Sequence, residues 1–212
     1  MKSVLISINP KWVEKIASGE KTIEVRKTSP KGVPFKAYIY CTSSNVHDCI
    51  LIDKSGLVLT YATNHKTAIV DSGYCGNGKV IGEFVCDKVD EYNFHEGLTE
   101  FNSMGLPSRI YGSYLIFADD YKAMCLSYDE VKNYGKGKTL YGWHISDLKI
   151  YDKPKELSEF NRPCPSVNHN CEHCITYGKP YQWDFDEEAG KIFCTRRITR
   201  PPQSWCYVEE KQ

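Results

Sequence analysis

The sequence predicts a mixed α+β domain, and three observations carry that prediction. Short runs of apolar or alternating residues, typical of strands, recur throughout residues 4–151. Segments with capping signals at both ends lie among them and predict helices. The chain also has 15 tyrosines in 212 residues, and these suit half-buried strand positions. With 41% hydrophobic and 25% charged residues, the composition excludes collagen, coiled coils and wholesale disorder.

The first elements are a strand and a short helix. Residues 4–8 are wholly apolar apart from one serine, and predict a buried strand. Asn9 then suits a helix N-cap, and Pro10 suits the first helical position, where a missing N–H costs no hydrogen bond. Gly19 suits a left-handed C-terminal cap. A helix is therefore expected over residues 10–18.

Further strands follow along the first half of the chain. Residues 22–27 alternate in polarity and residues 36–42 form a second strand pattern. The Asn-Gly pair at 77–78 is a strong hairpin signal, leading into a strand over 80–86. The stretch 47–76 is interpreted as an inserted hairpin and loop.

A second helix and a late strand complete this region. Ser127 and Glu130 have the spacing of a capping box, which predicts a helix that ends near Gly135. Residues 141–151 contain another strand pattern. Together these elements are most consistent with strands of a curved sheet or small barrel flanked by helices.

Charge and hydropathy exclude several classes of protein. Lys plus Arg and Asp plus Glu each count 27, so the chain is not a polycation that coats nucleic acid. The longest N-terminal apolar stretch, residues 4–8, is too short for a signal peptide or a membrane helix. We therefore expect a cytoplasmic protein that does not contact a membrane.

The segment 18–27 carries the most chemical information. Lys21 lies at the entrance of the predicted strand, and a period of two places Glu24 and Arg26 on one face of it. Residues 11–36 include seven basic residues and three acidic ones. Such groups contact phosphates, and Arg suits bidentate contact. The alternative is a solvated strand edge with a surface salt bridge of about 0–1 kcal/mol.

This segment resembles the signature of ASCH domains, which are named for homology to an activating signal cointegrator and belong to the PUA-like group. The matching motif residues are Gly19, Lys21, Glu24 and Arg26. Residues 80–85 and 143–148 also look like parts of this family, so the resemblance spans most of residues 1–152. It implies a PUA-like small β-barrel with flanking helices.

The resemblance also implies a cleft beside the motif that binds RNA or a modified nucleoside. Lys21, Glu24 and Arg26 would form the site, and we expect Lys21 and Arg26 at the surface, so that alanine at both positions would weaken RNA binding and leave the fold intact. Lys11 and Lys27 would attract phosphates, and Trp143 or His144 would supply a stacking wall, since single-stranded RNA is read by such groups. For His144, the alternative is a core residue in a tryptophan-containing strand.

Some ASCH relatives look like enzymes, which makes a hydrolase acting on modified nucleosides or RNA the alternative function. One branch is similar to amidohydrolases that use the motif Lys with a Thr three residues later. Here Lys21 matches, but Glu24 stands where that Thr would be. The proposed nucleophile is therefore missing, and Lys21 would have to act as an acid or base.

A cysteine-rich extension follows a soft boundary near Phe160. Domain 1–159 is expected to carry the ASCH-type fold, and residues 160–212 to pack on it. The extension holds half of the chain's ten cysteines, namely Cys164, Cys171, Cys174, Cys194 and Cys206.

The pair Cys171 and Cys174 has the CxxC spacing that can hold one side of a tetrahedral zinc ion. Cys194 and Cys206 are the preferred remaining ligands of this structural zinc, with Cys164 in reserve. Buried free thiols and redox chemistry are the alternatives. The extension also suggests a third function, an adaptor that binds a protein partner.

Overall fold

The computed structural model describes residues 1–43, 48–53, 58–62, 73–101, 103–104, 107–163, 182–186, 191–195 and 198–210. Its helices are α1 (Pro10–Ala17), α2 (Ala118–Met124) and α3 (Tyr128–Gly135), with a one-turn 3₁₀ helix over Leu157–Glu159. Its strands are β1 (Lys2–Ile8), β2 (Ile23–Arg26), β3 (Phe35–Cys41), β4 (Asp48–Asp53), β5 (Val58–Ala62), β6 (Gly73–Cys75), β7 (Val80–Cys86), β8 (Val89–Tyr92), β9 (Phe94–Phe101), β10 (Pro107–Tyr114), β11 (Leu140–His144), β12 (Ser146–Lys155), β13 (Phe160–Asn161), β14 (Gln182–Asp186), β15 (Lys191–Thr195) and β16 (Trp205–Glu210). The predicted α+β class is confirmed.

The main sheet has six strands in the order β12-β7-β3-β1-β16-β13. β1 runs parallel to β3 and antiparallel to β16. The inner face of β1 is wholly apolar, and Val4, Ile6 and Ile8 are buried with Val13 and Ile16 of α1. Helix α1 is therefore held against one face of this sheet by its apolar stripe.

Local signals at the helix ends are confirmed. The side chain of Asn9 accepts a hydrogen bond from the backbone N–H of Lys11, and Pro10 begins α1. Gly19 takes a left-handed conformation with φ of +76°, just after the C-cap. The capping box between Ser127 and Glu130 opens α3 with both of its hydrogen bonds.

The predicted hairpin at Asn77 and Gly78 is a turn, but the two strands that it joins do not pair. Gly78 has a φ of +77°, as the turn requires. β6 pairs with β4, whereas β7 lies between β3 and β12 in the main sheet. Both edges of β7 are already occupied, so β6 cannot pair with it.

Residues beyond the predicted boundary near Phe160 contribute two strands to the main sheet. β16 pairs with β1, placing Cys206 opposite Leu5, and β13 pairs with β16. Phe160 and Val208 are buried in a second core cluster with Leu5. The C-terminal strand is thus part of the fold of residues 1–159.

The expected barrel is not closed in the described part of the chain. The strands there form five sheets, and the outer strands of the six-stranded sheet, β12 and β13, do not pair with each other. No helix among the described residues is long and apolar enough to cross a membrane.

An ion pair on the main sheet makes folding sensitive to acid. The Lys36 ammonium lies 2.9 Å from Glu83, and the Tyr151 hydroxyl donates to the same carboxylate at 2.6 Å. Burial alone would raise the pKa of Glu83, but these two hydrogen bonds, together with the charges of Lys36 and Lys155, outweigh burial and lower it. A carboxyl whose pKa is lowered on folding stabilises the protein above its ordinary pKa. That stabilisation disappears as the pH falls through the lowered value.

We therefore expect the free energy of unfolding to fall more steeply between about pH 5 and pH 3 in the wild type than in Glu83→Gln. Urea denaturation at several pH values measures both curves. Parallel curves would show that Glu83 makes no contribution to the acid sensitivity.

Candidate functional site

A cleft of about 580 Å³ lies between β2, α1 and α3. Lys21, Glu24 and Arg26 form its floor, and Trp12 and Tyr134 line its sides. The remaining lining includes polar groups, which are Ser7, Asn9, Thr42, Glu130, Asn133 and Gln203. The structure thus brings the three motif residues together at one concave site.

The local sequence explains why these three side chains converge. After the left-handed turn at Gly19, the backbone N–H of Lys21 donates to the carbonyl of Lys15 at 2.8 Å, which folds the chain back beside α1. β2 then begins at Ile23. Because side chains alternate along a strand, Glu24 and Arg26 face the cleft while Ile23 and Val25 are buried in a hydrophobic cluster.

The floor is a chain of three charges. The Glu24 carboxylate lies 3.4 Å from the Lys21 ammonium and 2.9 Å from the Arg26 guanidinium. Lys21, Glu24 and Arg26 are only 2%, 6% and 8% exposed. Charges this well buried require partners, and each of these has one within the motif.

Backbone carbonyls accept hydrogen bonds from the two cations of the floor. Lys21 Nζ donates to the carbonyl of Met124 at 2.6 Å, and Arg26 Nη2 donates to the carbonyl of Ser7 at 2.7 Å. Arg26 Nε is buried and has no hydrogen-bond partner within the described residues. The expectation that Lys21 and Arg26 are surface residues is therefore wrong. Each is anchored by long-range contacts that a local pattern does not reveal.

The two aromatic walls were not among the predicted site residues. Trp12 lies beside two cations, with Lys11 Nζ 4.4 Å and Lys21 Nζ 5.2 Å from its ring centroid. Tyr134 lies on α3, four residues after Glu130 and so on the same helix face. That spacing from the capping box is the sequence signal that could have identified it. Burial raises the pKa of the Tyr134 phenol, so its hydroxyl stays neutral and can donate.

Lys11 and Lys27 lie where phosphates can reach them. Both are exposed. Lys11 Nζ is 3.8 Å from the Glu130 carboxylate, and Lys27 Nζ is 4.8 Å from the ring centroid of Tyr134. Each cation therefore contacts a residue that lines the cleft.

The predicted stacking role of Trp143 does not fit its environment. Its ring is 0% exposed and packs edge-on against Phe35 at 5.0 Å and Trp205 at 5.7 Å. A base cannot stack on a ring that is fully enclosed. Trp205 packs in this same cluster.

His144 does not line the cleft either. Its Nε2 lies 2.6 Å from the Asp90 carboxylate, which also pairs with Lys88 at 2.9 Å. The side chain is only partly exposed. His144 therefore belongs to an ion-pair cluster beside β8 rather than to the cleft or the apolar core.

The predicted zinc ligands are only partly described. Cys164, Cys171 and Cys174 lie outside the described residues, and for Cys194 only its place in β15 is described. Cys206 packs against the second core cluster, and burial raises the pKa of its thiol. Within the described ranges, no group of three or more His, Cys, Asp or Glu side chains is placed to hold a metal ion. The zinc site stays a prediction.

Comparison with solved structures finds likeness to crystal structures of an ASCH protein from Zymomonas mobilis. The first has 15% sequence identity and a TM-score of 0.44, and the match covers 98% of this chain and 88% of that chain. A tyrosine-to-phenylalanine mutant of that protein has 14% identity and a TM-score of 0.46, with 99% and 91% covered. A serine-to-alanine mutant has 14% identity and a TM-score of 0.45, with 98% and 89% covered.

No protein-family model matches the chain, and no curated protein matches it.

Proposed function

We propose that this chain is an ASCH-type module with a PUA-like fold that binds RNA or a modified nucleoside. The observation that carries the proposal is the cleft itself, where a buried Lys21–Glu24–Arg26 floor lies between Trp12 and Tyr134. Its volume of about 580 Å³ is within the usual range for small-molecule sites. A nucleobase is flat, polar at its edge and apolar on its faces, which matches this combination of groups.

Each part of the cleft has a role in this binding mode. Bases stack on aromatic side chains such as Trp12 and Tyr134. The amides of Asn133 and Gln203 can donate to and accept from a base edge. The floor carries two cations and one carboxylate, and the second carboxylate of the lining, that of Glu130, lies 3.8 Å from the Lys11 ammonium. Lys11 and Lys27 add attraction for phosphates outside the cleft.

The environment of Lys21 favours binding over the alternative of hydrolysis. Its Nζ donates to the Met124 carbonyl and lies beside the Glu24 carboxylate, so both of its partners belong to the protein itself. A side chain that is 2% exposed and held in this way fits a fixed part of the floor better than a catalytic group. The Thr that would serve as nucleophile in the amidohydrolase-like branch is replaced by Glu24. We therefore propose a binding module without strong turnover.

Two tyrosines of α3 provide a matched test. Tyr134 and Tyr128 are 37% and 38% exposed, and each ring has a lysine ammonium near it, Lys27 at 4.8 Å and Lys132 at 5.6 Å. Only Tyr134 lines the cleft. Loss of one stacking ring costs about 1–3 kcal/mol per base, so Tyr134→Ala is expected to weaken binding of short single-stranded RNA about tenfold.

Tyr128→Ala is the control and should bind RNA as the wild type does. Titration of fluorescent oligoribonucleotides at one fixed low salt concentration measures both variants, because phosphate-driven binding falls steeply with ionic strength. Equal affinities of the two variants for RNA would contradict a binding site in this cleft.

We also propose that residues 160–212 bind one structural zinc ion through Cys171 and Cys174, with Cys194 and Cys206 as the other ligands and Cys164 in reserve. Metal analysis of purified protein should find about one zinc per chain. Chelation should expose the segment between Cys164 and Cys194 to protease before the rest of the chain, because the binding energy of such a metal is local folding energy. Zinc-free protein in which that segment resists protease would contradict this prediction.

A further inference from the structure

A second depression of about 460 Å³ lies where the segment that follows β2 meets strands β8 and β11. It is lined by residues that include Lys27, Thr28, Ser29, Val33, Glu91 and Tyr141. It therefore combines one cation, three hydroxyls, one carboxylate and an aromatic ring. None of its lining residues belongs to the lining of the cleft described above.

The register of the three strands connects the two depressions. Arg26 on β2 lies directly opposite Tyr141 on β11, and Tyr141 lies directly opposite Glu91 on β8. Residues opposite each other in antiparallel strands project to the same face, with Cβ atoms about 4.5–5.5 Å apart. Arg26 lines the cleft, whereas Tyr141 and Glu91 line the second depression. One row of side chains thus leads from the first site into the second.

Lys27 supplies a positive charge at the junction. It follows Arg26 in the chain and lines the second depression. Its ammonium lies 4.8 Å from the ring centroid of Tyr134, which lines the cleft. The exposed Lys27 side chain therefore contacts the wall of one site and lines the other, where a phosphate that joins two nucleotides would pass.

We propose that the second depression binds the nucleotide adjacent to the one in the cleft. This inference rests on the proposed function and narrows its ligand to single-stranded RNA of at least two nucleotides. The ring of Tyr141 offers a stacking surface for the second base. The Glu91 carboxylate accepts from an exocyclic amino group or a ribose hydroxyl, and it keeps the phosphate on the Lys27 side by repulsion.

The chemistry of the depression also predicts for which bases a second nucleotide adds most to the binding affinity. Adenine, cytosine and guanine carry an exocyclic amino group that can donate to Glu91, whereas uracil carries none. The gain in affinity from a second nucleotide should therefore be smallest for uridine. It should fall with added salt, because one bridging phosphate contacts Lys27.

The experiment compares the four ribonucleosides with their homodinucleotides by calorimetric titration. For the wild type we expect CpC and ApA to bind at least about tenfold more tightly than cytidine and adenosine, because a second base stacks. Tyr141→Leu should lose most of this gain and keep the nucleoside affinity. Lys27→Ala should reduce the salt dependence of dinucleotide binding by about one phosphate contact. Tyr128→Leu, an aromatic change outside both depressions, is the control.

The outcomes separate this inference from the function on which it rests. If nucleosides bind but dinucleotides bind no more tightly, or if the gain survives Tyr141→Leu, the second subsite is wrong and the cleft stands. If neither nucleosides nor dinucleotides bind the wild type, the proposed function itself is overturned, and the subsite with it. Circular dichroism of Tyr141→Leu verifies that the variant is folded, so that a loss of the extra dinucleotide affinity is not caused by unfolding.

Discussion

Replacing Glu24 by alanine is expected to destabilise the protein by about 3–5 kcal/mol, the usual cost of removing one partner from a buried ion pair. The Glu24 carboxylate lies between the Lys21 ammonium and the Arg26 guanidinium, and all three side chains are at least nine-tenths buried. Alanine would leave two like charges facing each other with no anion between them. The backbone carbonyls of Met124 and Ser7 and the Ser204 hydroxyl would still accept hydrogen bonds from them, but none of these groups carries a negative charge.

Glu20→Ala is the matched control, because Glu20 lies in the turn that leads into the same motif. Glu20 also pairs with a lysine, Lys15, at 2.6 Å, but its side chain is 60% exposed. Exposed ion pairs contribute little, so this variant should unfold at almost the same urea concentration as the wild type. Equal stabilities of Glu24→Ala and Glu20→Ala would show that the floor of the cleft is solvated rather than buried.

This prediction reverses a first expectation about the motif. If Lys21 and Arg26 were surface residues, alanine at both positions would weaken RNA binding and leave the fold intact. Both are in fact buried and bonded to carbonyls of distant segments. A loss of RNA binding in that double variant would therefore not distinguish a weakened binding site from a destabilised fold. The exposed residue Tyr134 separates the two effects, and it is therefore the better probe of the cleft.

The sequence predicted the elements whose signals are local. Asn9, Pro10 and Gly19 delimit α1, and Ser127 with Glu130 opens α3, because each signal concerns hydrogen bonds between residues a few positions apart. The shared face of Glu24 and Arg26 followed from the period of a strand. These signals depend on no distant partner.

The features that the sequence did not predict depend on distant partners. The burial of Lys21 requires the Met124 carbonyl, 103 residues away along the chain. β6 does not pair with β7 because β3 and β12 occupy the two edges of β7. The strand β16 joins β1 although almost the whole chain lies between them. Pairings of this kind are decided by the packing of the whole domain, so no local pattern predicts them.

Trp143 illustrates the same point and leads to the second large effect. Trp143→Ala is expected to destabilise the protein by about 3–5 kcal/mol, because it removes a fully buried indole and leaves a cavity between the six-stranded sheet and the sheet formed by β2, β11 and β8. The ring contacts Phe35 of β3 and Trp205 of β16, and its strand β11 pairs with β2 of the motif. Urea denaturation of the wild type and the variant measures the difference.

The milder Trp143→Phe separates packing from ligand stacking. It keeps an aromatic ring in the core and removes an indole N–H that has no hydrogen-bond partner in the described part of the protein. We expect it to bind RNA as the wild type does, since no face of Trp143 reaches the cleft. Trp12→Ala should behave in the opposite way and weaken RNA binding, because it removes one stacking ring from the cleft. Its loss of stability should be smaller than that of Trp143→Ala, because Trp12 is only partly buried. Reduced RNA affinity in fully folded Trp143→Phe would contradict this assignment and return Trp143 to the binding site.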